Sequence, residues 1–400
     1  MKTAYGCKLL GAHQALRGIT DGVVLFHSVV GCNFGSLALH VAASDMTDVR
    51  QTCTVISDRD VIFGGEHSVS KALRYVKELY HPELIFLVTG CVSDLIQDDV
   101  ASVARRFERE EEIPVLCVEA AGYRGDFNLG FEEALKFLMR EIESGATERK
   151  KSEVPVVNLL GLGFDDPRLE ADLVAFSELL GGKAKIGTVF ASCTREELKC
   201  SMNADLNLVL GRGEKLAIGM EQKFGIPWKR ISYPYGLTGA EGLWECLYQC
   251  FGLDFDEERE TFIRKTKEGG KQVYSYLQAL YGLPVAVLGS CARAEGMAIF
   301  LSEELGMEIE VFEKREQVQE LEDFYDKVRN SEAAFLFASS FEQELADELA
   351  IPLFRFDYPV FDRVCLSRRS YVGSEGTLCL IEDILNEAFC ARSLKGALYQ

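Results

Sequence analysis

Apolar residues in this chain fall into short continuous runs separated by amphipathic stretches, and the runs keep fixed company. Residues 84–88 are apolar throughout and are followed by Thr89-Gly90-Cys91, a helical stretch to Glu112, Ile113-Pro114 and a second run at 115–118. The order returns at 206–210, with Gly211-Arg212-Gly213, a helix to Phe224, Ile226-Pro227 and a short strand. A third copy has residues 334–337, Ala338-Ser339-Ser340, a helix to Ala350, Ile351-Pro352 and a run at 353–356. Unbroken apolar runs alternating with amphipathic helices predict parallel strands buried on both faces, joined by crossover helices. In the stretch 341–350, Phe341, Leu345, Ala346 and Leu349 share one helical face.

Further strands are expected at 22–26, 154–160, 184–190 and 284–288, and linkers at the charged stretches 143–153 and 266–271. The expected fold class is α/β: three doubly wound, Rossmann-like units with mostly parallel sheets around a central cleft. The units span 1–150, 151–270 and 271–400. In such sheets ligands bind beyond the carboxyl ends of the strands. The loops at Thr89–Cys91, Gly211–Gly213 and Ala338–Ser340 are therefore expected to face that cleft.

The chain has 400 residues, a length suited to two or three α/β units. Its net charge of −20 argues against nucleic acid, which needs clustered Lys and Arg. No apolar run approaches the roughly 20 residues that span a bilayer, so no membrane span is expected. The first residues lack an apolar signal segment, and a cytoplasmic location is expected. Disulfides are rare in that compartment, so the thirteen cysteines are either buried thiols or metal ligands.

Cys7, Cys32 and Cys91 stand apart from the other ten. Each directly follows a glycine, which lets backbone approach a bulky group closely, and two of them follow predicted strands. Thiolate is the usual ligand of an iron–sulfur cluster, yet no local Cys-x-x-Cys spacing is present, and three unrelated core cysteines would also satisfy these observations. Cys53, Cys117, Cys193 and Cys200 read as core, as do Cys246 and Cys250, one turn apart in an apolar helix. Arg212, Arg293, Arg355, Arg363, Arg368 and Arg369 near strand ends could receive an anionic ligand or pair with surface acids. Gly161-Leu162-Gly163 is a weak nucleotide-loop signal, and no Walker A pattern occurs.

Taken together, these residues resemble the nitrogenase component 1 family. Cys7, Cys32 and Cys91 look like that family's three cluster cysteines. His27–Cys32 is similar to its His-Gly-Pro-x-Gly-Cys, with Ser28 and Val29 in place of Gly and Pro. Phe63-Gly64-Gly65-Glu66, Thr89-Gly90-Cys91, Asp98-Asp99 and Val157-Asn158-Leu159-Leu160-Gly161 resemble further motifs in order, as does Tyr358-Pro359-Val360-Phe361-Asp362-Arg363 near the end. The resemblance implies an iron–sulfur cluster, [4Fe–4S] or a larger P-cluster-like group, on Cys7, Cys32 and Cys91. Asp94 or a partner subunit could supply a fourth ligand.

The resemblance also implies an oxidoreductase subunit. It would take electrons from an ATP-dependent iron protein and pass them through the cluster to a substrate or cofactor in the inter-domain cleft. It would work as a homodimer or paired with a similar component 1 subunit. The alternative is a non-enzymatic scaffold for assembling a nitrogenase-type metal cofactor. Catalytic α subunits of the family hold their cofactor with a Cys after the second unit's strand and a His late in the chain. Here Gly211 follows that strand and all five histidines lie at or before His81. A different occupant is implied, a second metal cofactor or a tetrapyrrole, bordered by Gly211, Arg212, Ser339 and Arg355.

Overall fold

The computed structural model describes residues 6–40, 49–145, 152–166, 168–318, 320–364 and 368–390. Among the described residues, twelve strands form three four-stranded sheets. The first holds β1 (Gly22–His27), β2 (Gln51–Cys53), β3 (Leu84–Thr89) and β4 (Val115–Glu119). The second holds β5 (Val156–Leu160), β6 (Lys185–Val189), β7 (Leu206–Val209) and β8 (Trp228–Arg230). The third holds β9 (Pro284–Gly289), β10 (Glu308–Lys314), β11 (Phe335–Ala338) and β12 (Leu353–Arg355). Their orders are β2-β1-β3-β4, β6-β5-β7-β8 and β10-β9-β11-β12, one topology used three times. The expected α/β class with parallel sheets is what the structure shows.

Burial explains the unbroken apolar runs. Along β1, Val24 and Phe26 enter one core with Leu9, Ala12 and Phe131, while Val23 and Leu25 enter another with Val69, Leu73 and Phe107. Both faces of the strand are covered, so alternation disappears. Each such side chain contributes roughly 1.5–3 kcal/mol of hydrophobic stabilisation.

The order second-first-third-fourth has a chemical consequence. The chain leaves the first strand toward one edge and returns on the other side for the third, so a crevice opens at the carboxyl ends of these two strands. In the first sheet those ends lead to Ser28–Cys32 and to Gly90–Cys91.

Two edge strands, β2 and β10, escaped the apolar-run reading. In β10 only Val311 is buried, because an edge strand alternates with charged residues. The stretch 266–271, read as a linker, lies mostly in the helix Asp256–Gly270. Its Gly269 lets the helix Gly373–Cys390 approach: a Cβ there would stand 2.4 Å from Leu378 Cδ1. Of the other expected linker, residues 146–151 lie outside the described residues. By contacts the chain forms two compact units, residues 5–165 with 186–228, and residues 166–185 with 229–400. No helix among the described residues is long and apolar enough to cross a membrane.

Cys7 is fixed by a helix pair. The helix Lys8–Leu16 meets the helix Phe127–Phe137 backbone to backbone. A Cβ on Gly11 would stand 1.8 Å from the Phe127 carbonyl oxygen, and one on Gly130 would stand 1.9 Å from that of Lys8. Neither position has room for a side chain.

In the third sheet, Arg315 donates to both carboxylate oxygens of Glu342 at 2.9 and 2.7 Å and to Ser339 Oγ at 3.1 Å. Both side chains of the ion pair are wholly buried.

Two outcomes are expected. Gly11→Ala should force the helices apart and cost about 1–3 kcal/mol in denaturant unfolding. Gly242→Ala, on a helix with open space around it, should gain up to about 1 kcal/mol; equal effects would refute the close-contact account. Glu342→Ala should strand a buried guanidinium and cost about 3–5 kcal/mol, and a loss below about 1 kcal/mol would contradict that reading.

Candidate metal centre

The crevice of the first sheet collects the cysteines. Cys7 is the cap residue before the helix Lys8–Leu16, Cys32 lies in the first turn of the helix Val30–His40, and Cys91 opens the short helix Cys91–Ile96. Helix starts carry partial positive charge, which suits thiolates that bind a metal.

Gly122, in the loop after β4, brings two of these sulfurs together. A Cβ at this position would stand 2.9 Å from Cys7 Cβ, 3.3 Å from Cys7 Sγ and 3.5 Å from Cys91 Sγ. The glycine thus leaves both sulfurs uncovered by side chain. Its N–H donates to Cys91 Sγ at 3.1 Å. Cys7 is also tied by a bridge to Asp126.

Ser28 links the third cysteine to this pair. Its hydroxyl donates to Cys32 Sγ at 3.2 Å and stands 2.2 Å from where a Gly90 Cβ would be, next to Cys91. Cys7, Cys32 and Cys91 are all half-buried, and Cys7 and Cys32 pack against one core cluster.

The floor of the loop is set by His27, whose Nδ1 meets Thr54 Oγ1 at 2.9 Å and whose Nε2 meets Asp98 Oδ2 at 2.8 Å. Asp98 also accepts the Gly65 N–H at 2.8 Å. The motifs at 63–66 and 98–99 therefore meet on one buried histidine, whereas His67 is exposed.

Asp94 has partners of its own: Arg124 Nε donates to it at 2.9 Å and the Tyr123 hydroxyl donates to the same oxygen. Among the described residues no three His, Cys, Asp or Glu side chains sit close enough to hold a single ion. A cluster sets a different demand, because its thiolates bind separate irons. Two half-buried thiols against an uncovered glycine backbone, one already accepting an N–H, with a third held by Ser28, fit an iron–sulfur group.

The remaining cysteines divide by environment. Burial pushes the Cys117 thiol up to about 11 and raises Cys193 further. Burial and then its neighbour Cys250 raise Cys246 to about 11. Cys200 is exposed, not buried. Cys53 packs against the core and lies beside the Ser28 loop. Burial raises its thiol above the ordinary value, hydrogen bonds to Val55 and Ser28 lower it, and nearby Cys32 raises it.

The other predicted site residues are engaged by protein groups. Arg212, buried in the loop after Gly211, donates to Gln14 Oε1 at 2.9 Å and lies 4.3 Å from the Phe131 ring centroid. Gln14 in turn donates to Asp165 at 2.7 Å. The start of the following helix is filled by Glu132, which accepts N–H groups from Gly213 and, at 3.1 Å, from Lys215. Ser339 is held by Arg315 and Glu342 as described above. Arg355 Nε donates to both Asp362 oxygens at 2.7 and 2.8 Å, so the motif at 358–363 closes the end of β12. Arg293, Arg363, Arg368 and Arg369 likewise face Asp166, Glu387, Glu170 and Glu382.

Sequence reasoning missed Gly122 and Ser28. The signal for Gly122 was its place just beyond a fourth strand end; the signal for Ser28 was a hydroxyl four residues before Cys32, within one loop.

Comparison with known proteins identifies the family. The family model described as nitrogenase component 1 type oxidoreductase matches residues 7–388. A nitrogenase iron-molybdenum cofactor biosynthesis protein NifE from Rippkaea orientalis is 26% identical over 79% of this chain and 67% of its own length. A nitrogenase molybdenum-iron protein alpha chain from Methanosarcina barkeri is 30% identical over 77% of this chain and 59% of its own. The chain thus spans about three fifths to two thirds of these relatives. A solved structure of nitrogenase Cp1 at pH 6.5 shares the fold at a TM-score of 0.78, with 21% identity over 97% of this chain and 93% of that one. Proteins of this family bind iron–sulfur clusters. This chain belongs to the nitrogenase component 1 type oxidoreductase family.

Proposed function

We propose that this chain is the component 1 subunit of a nitrogenase-like reductase, with Cys7, Cys32 and Cys91 holding its iron–sulfur cluster. The observation that carries the reading is the meeting of Cys7 and Cys91 on the bare backbone of Gly122, with Cys32 joined to them through Ser28. When bound, such a cluster supplies reversible one-electron transfer. The Gly122 N–H and the Ser28 hydroxyl would place positive dipole ends on the Cys91 and Cys32 sulfurs, which raises a reduction potential. The core under Cys7 and Cys32 keeps water from that side. Electrons are proposed to come from an ATP-dependent iron protein in the cytoplasm and to leave for a substrate or cofactor held elsewhere in the chain.

Gly211 supplies no thiolate to a second cofactor. A tetrapyrrole or second metal cofactor bound through Arg212 would have to displace Gln14 from it, and one bound through Arg355 would have to displace Asp362. A second reading, a scaffold on which a metal cofactor is assembled, is favoured by the relatives named as NifE and by that missing thiolate.

Exposed apolar side chains flank the cysteines: Val30, Phe34, Val55, Phe63, Leu95 and Tyr123. Apolar patches of this kind mark protein contacts. The proposed occupant is a second copy of this chain or a similar component 1 subunit.

Cys91→Ala, purified without oxygen, should lose most of the iron and sulfide of the parent protein, while Cys246→Ala should keep both. Full iron and sulfide in the Cys91 variant would remove the ligand assignment. Native mass measurement should find a dimer, and Phe34→Glu should shift it toward monomer. A cluster-bearing monomer at micromolar concentration would contradict the interface.

A further inference from the structure

We infer that Cys53 is a fourth thiolate ligand of the same cluster, supplied by this chain itself. The inference rests on the cluster reading above and adds a residue to it. Cys53 closes β2, where it pairs in register with Phe26 of β1. In-register neighbours of a sheet face the same side, so Cys53 points where Phe26 does. Cys7, Cys32 and Cys53 accordingly pack against one and the same core cluster.

The Cys53 thiol donates to the Ser28 carbonyl oxygen at 3.3 Å, and the Ser28 hydroxyl donates to Cys32 Sγ at 3.2 Å. One residue therefore touches both sulfurs. Cys53 Sγ also accepts the Val55 N–H at 3.3 Å, as Cys91 Sγ accepts that of Gly122 at 3.1 Å. Val55 reaches this position with φ at 56°, a left-handed conformation that is rare for a β-branched residue. The thiol is half-buried, as the other three are.

The chemistry calls for such a group. A [4Fe–4S] cluster takes four protein ligands, and the three cysteines supply three. Asp94 already holds Arg124 and the Tyr123 hydroxyl through one oxygen, and it is a carboxylate where thiolate is the usual ligand. Cys53 has only its thiol proton to give up. On ligation that proton passes to solvent, the Ser28 carbonyl loses its S–H donor and a sulfur–iron bond forms. No group changes oxidation state in the exchange.

The experiment compares the parent chain with Cys53→Ala and Cys53→Ser, all purified without oxygen. Three quantities are read: iron and sulfide per chain, the EPR spectrum after reduction, and the rate of iron loss to a chelator. Cys53→Ala should show a changed spectrum and lose iron at least about tenfold faster, the scale that metal sites lose when a supporting group is removed. Cys53→Ser, which offers an oxygen ligand, should restore part of the retention. Thermal unfolding of the metal-free proteins separates ligand loss from misfolding, and the serine variant keeps the test open if the alanine variant is unstable. A loaded parent whose spectrum and chelation rate are unchanged in Cys53→Ala overturns the Cys53 assignment alone. A parent with neither iron nor sulfide overturns the cluster reading with it.

Discussion

The contact on which the site depends is made of backbone alone. Gly11 and Gly130 allow the helices Lys8–Leu16 and Phe127–Phe137 to touch where any side chain would collide with a carbonyl oxygen. That crossing fixes the start of the first helix, and with it Cys7, against the loop that carries Gly122. Without it, Cys7 would lose the packing that holds it beside Gly122. Packing alone therefore positions Cys7. The site is prepared by packing, and binding free energy need not go into ordering that segment.

The three sheets share one strand order and so one kind of crevice, yet they furnish it differently. The first keeps its crevice for thiols. In the second, Arg212, Gln14 and Asp165 form a chain of hydrogen bonds beside Gly211, and Glu132 occupies the start of the next helix. In the third, the buried pair of Arg315 and Glu342 closes the Ser339 loop, and Asp362 holds Arg355. Charges paired so completely specify loop shape at the expense of desolvation. One architecture thus gathers thiols in one place and forms closed, polar joints in the others.

Much of this was legible in the order of residues. Doubly buried strands such as β3 announce themselves because residues 84–88 are apolar without a break, and the glycines before Cys7, Cys32 and Cys91 hinted at close approach. The edge strands β2 and β10 did not show; in β10, residues such as Glu308 and Glu310 face solvent and break the run. The helix Asp256–Gly270 was mistaken in part for a linker, because Gly269 and Gly270 near its end resemble a break, whereas Gly269 serves a close helix contact. Cys53 was taken for a core residue because nothing within its own short strand distinguishes it. Its relation to Cys32 exists only through the pairing of β2 with β1 and the turn of Ser28. The arginines near strand ends pointed equally to ligand binding and to internal pairing. Only the geometry revealed that their guanidinium groups meet Asp362, Asp166 or Gln14.

The central claim is that these loops assemble an iron–sulfur cluster on cysteine thiolates. The most direct test is to purify the unaltered chain without oxygen, assay iron and acid-labile sulfide together, and record its EPR spectrum after reduction. The account predicts iron and sulfide in near-equal amounts, about four of each for a cubane cluster, with a spectrum typical of a reduced cluster. Iron without sulfide, or a protein that remains free of both after reconstitution with ferrous iron and sulfide, would contradict it.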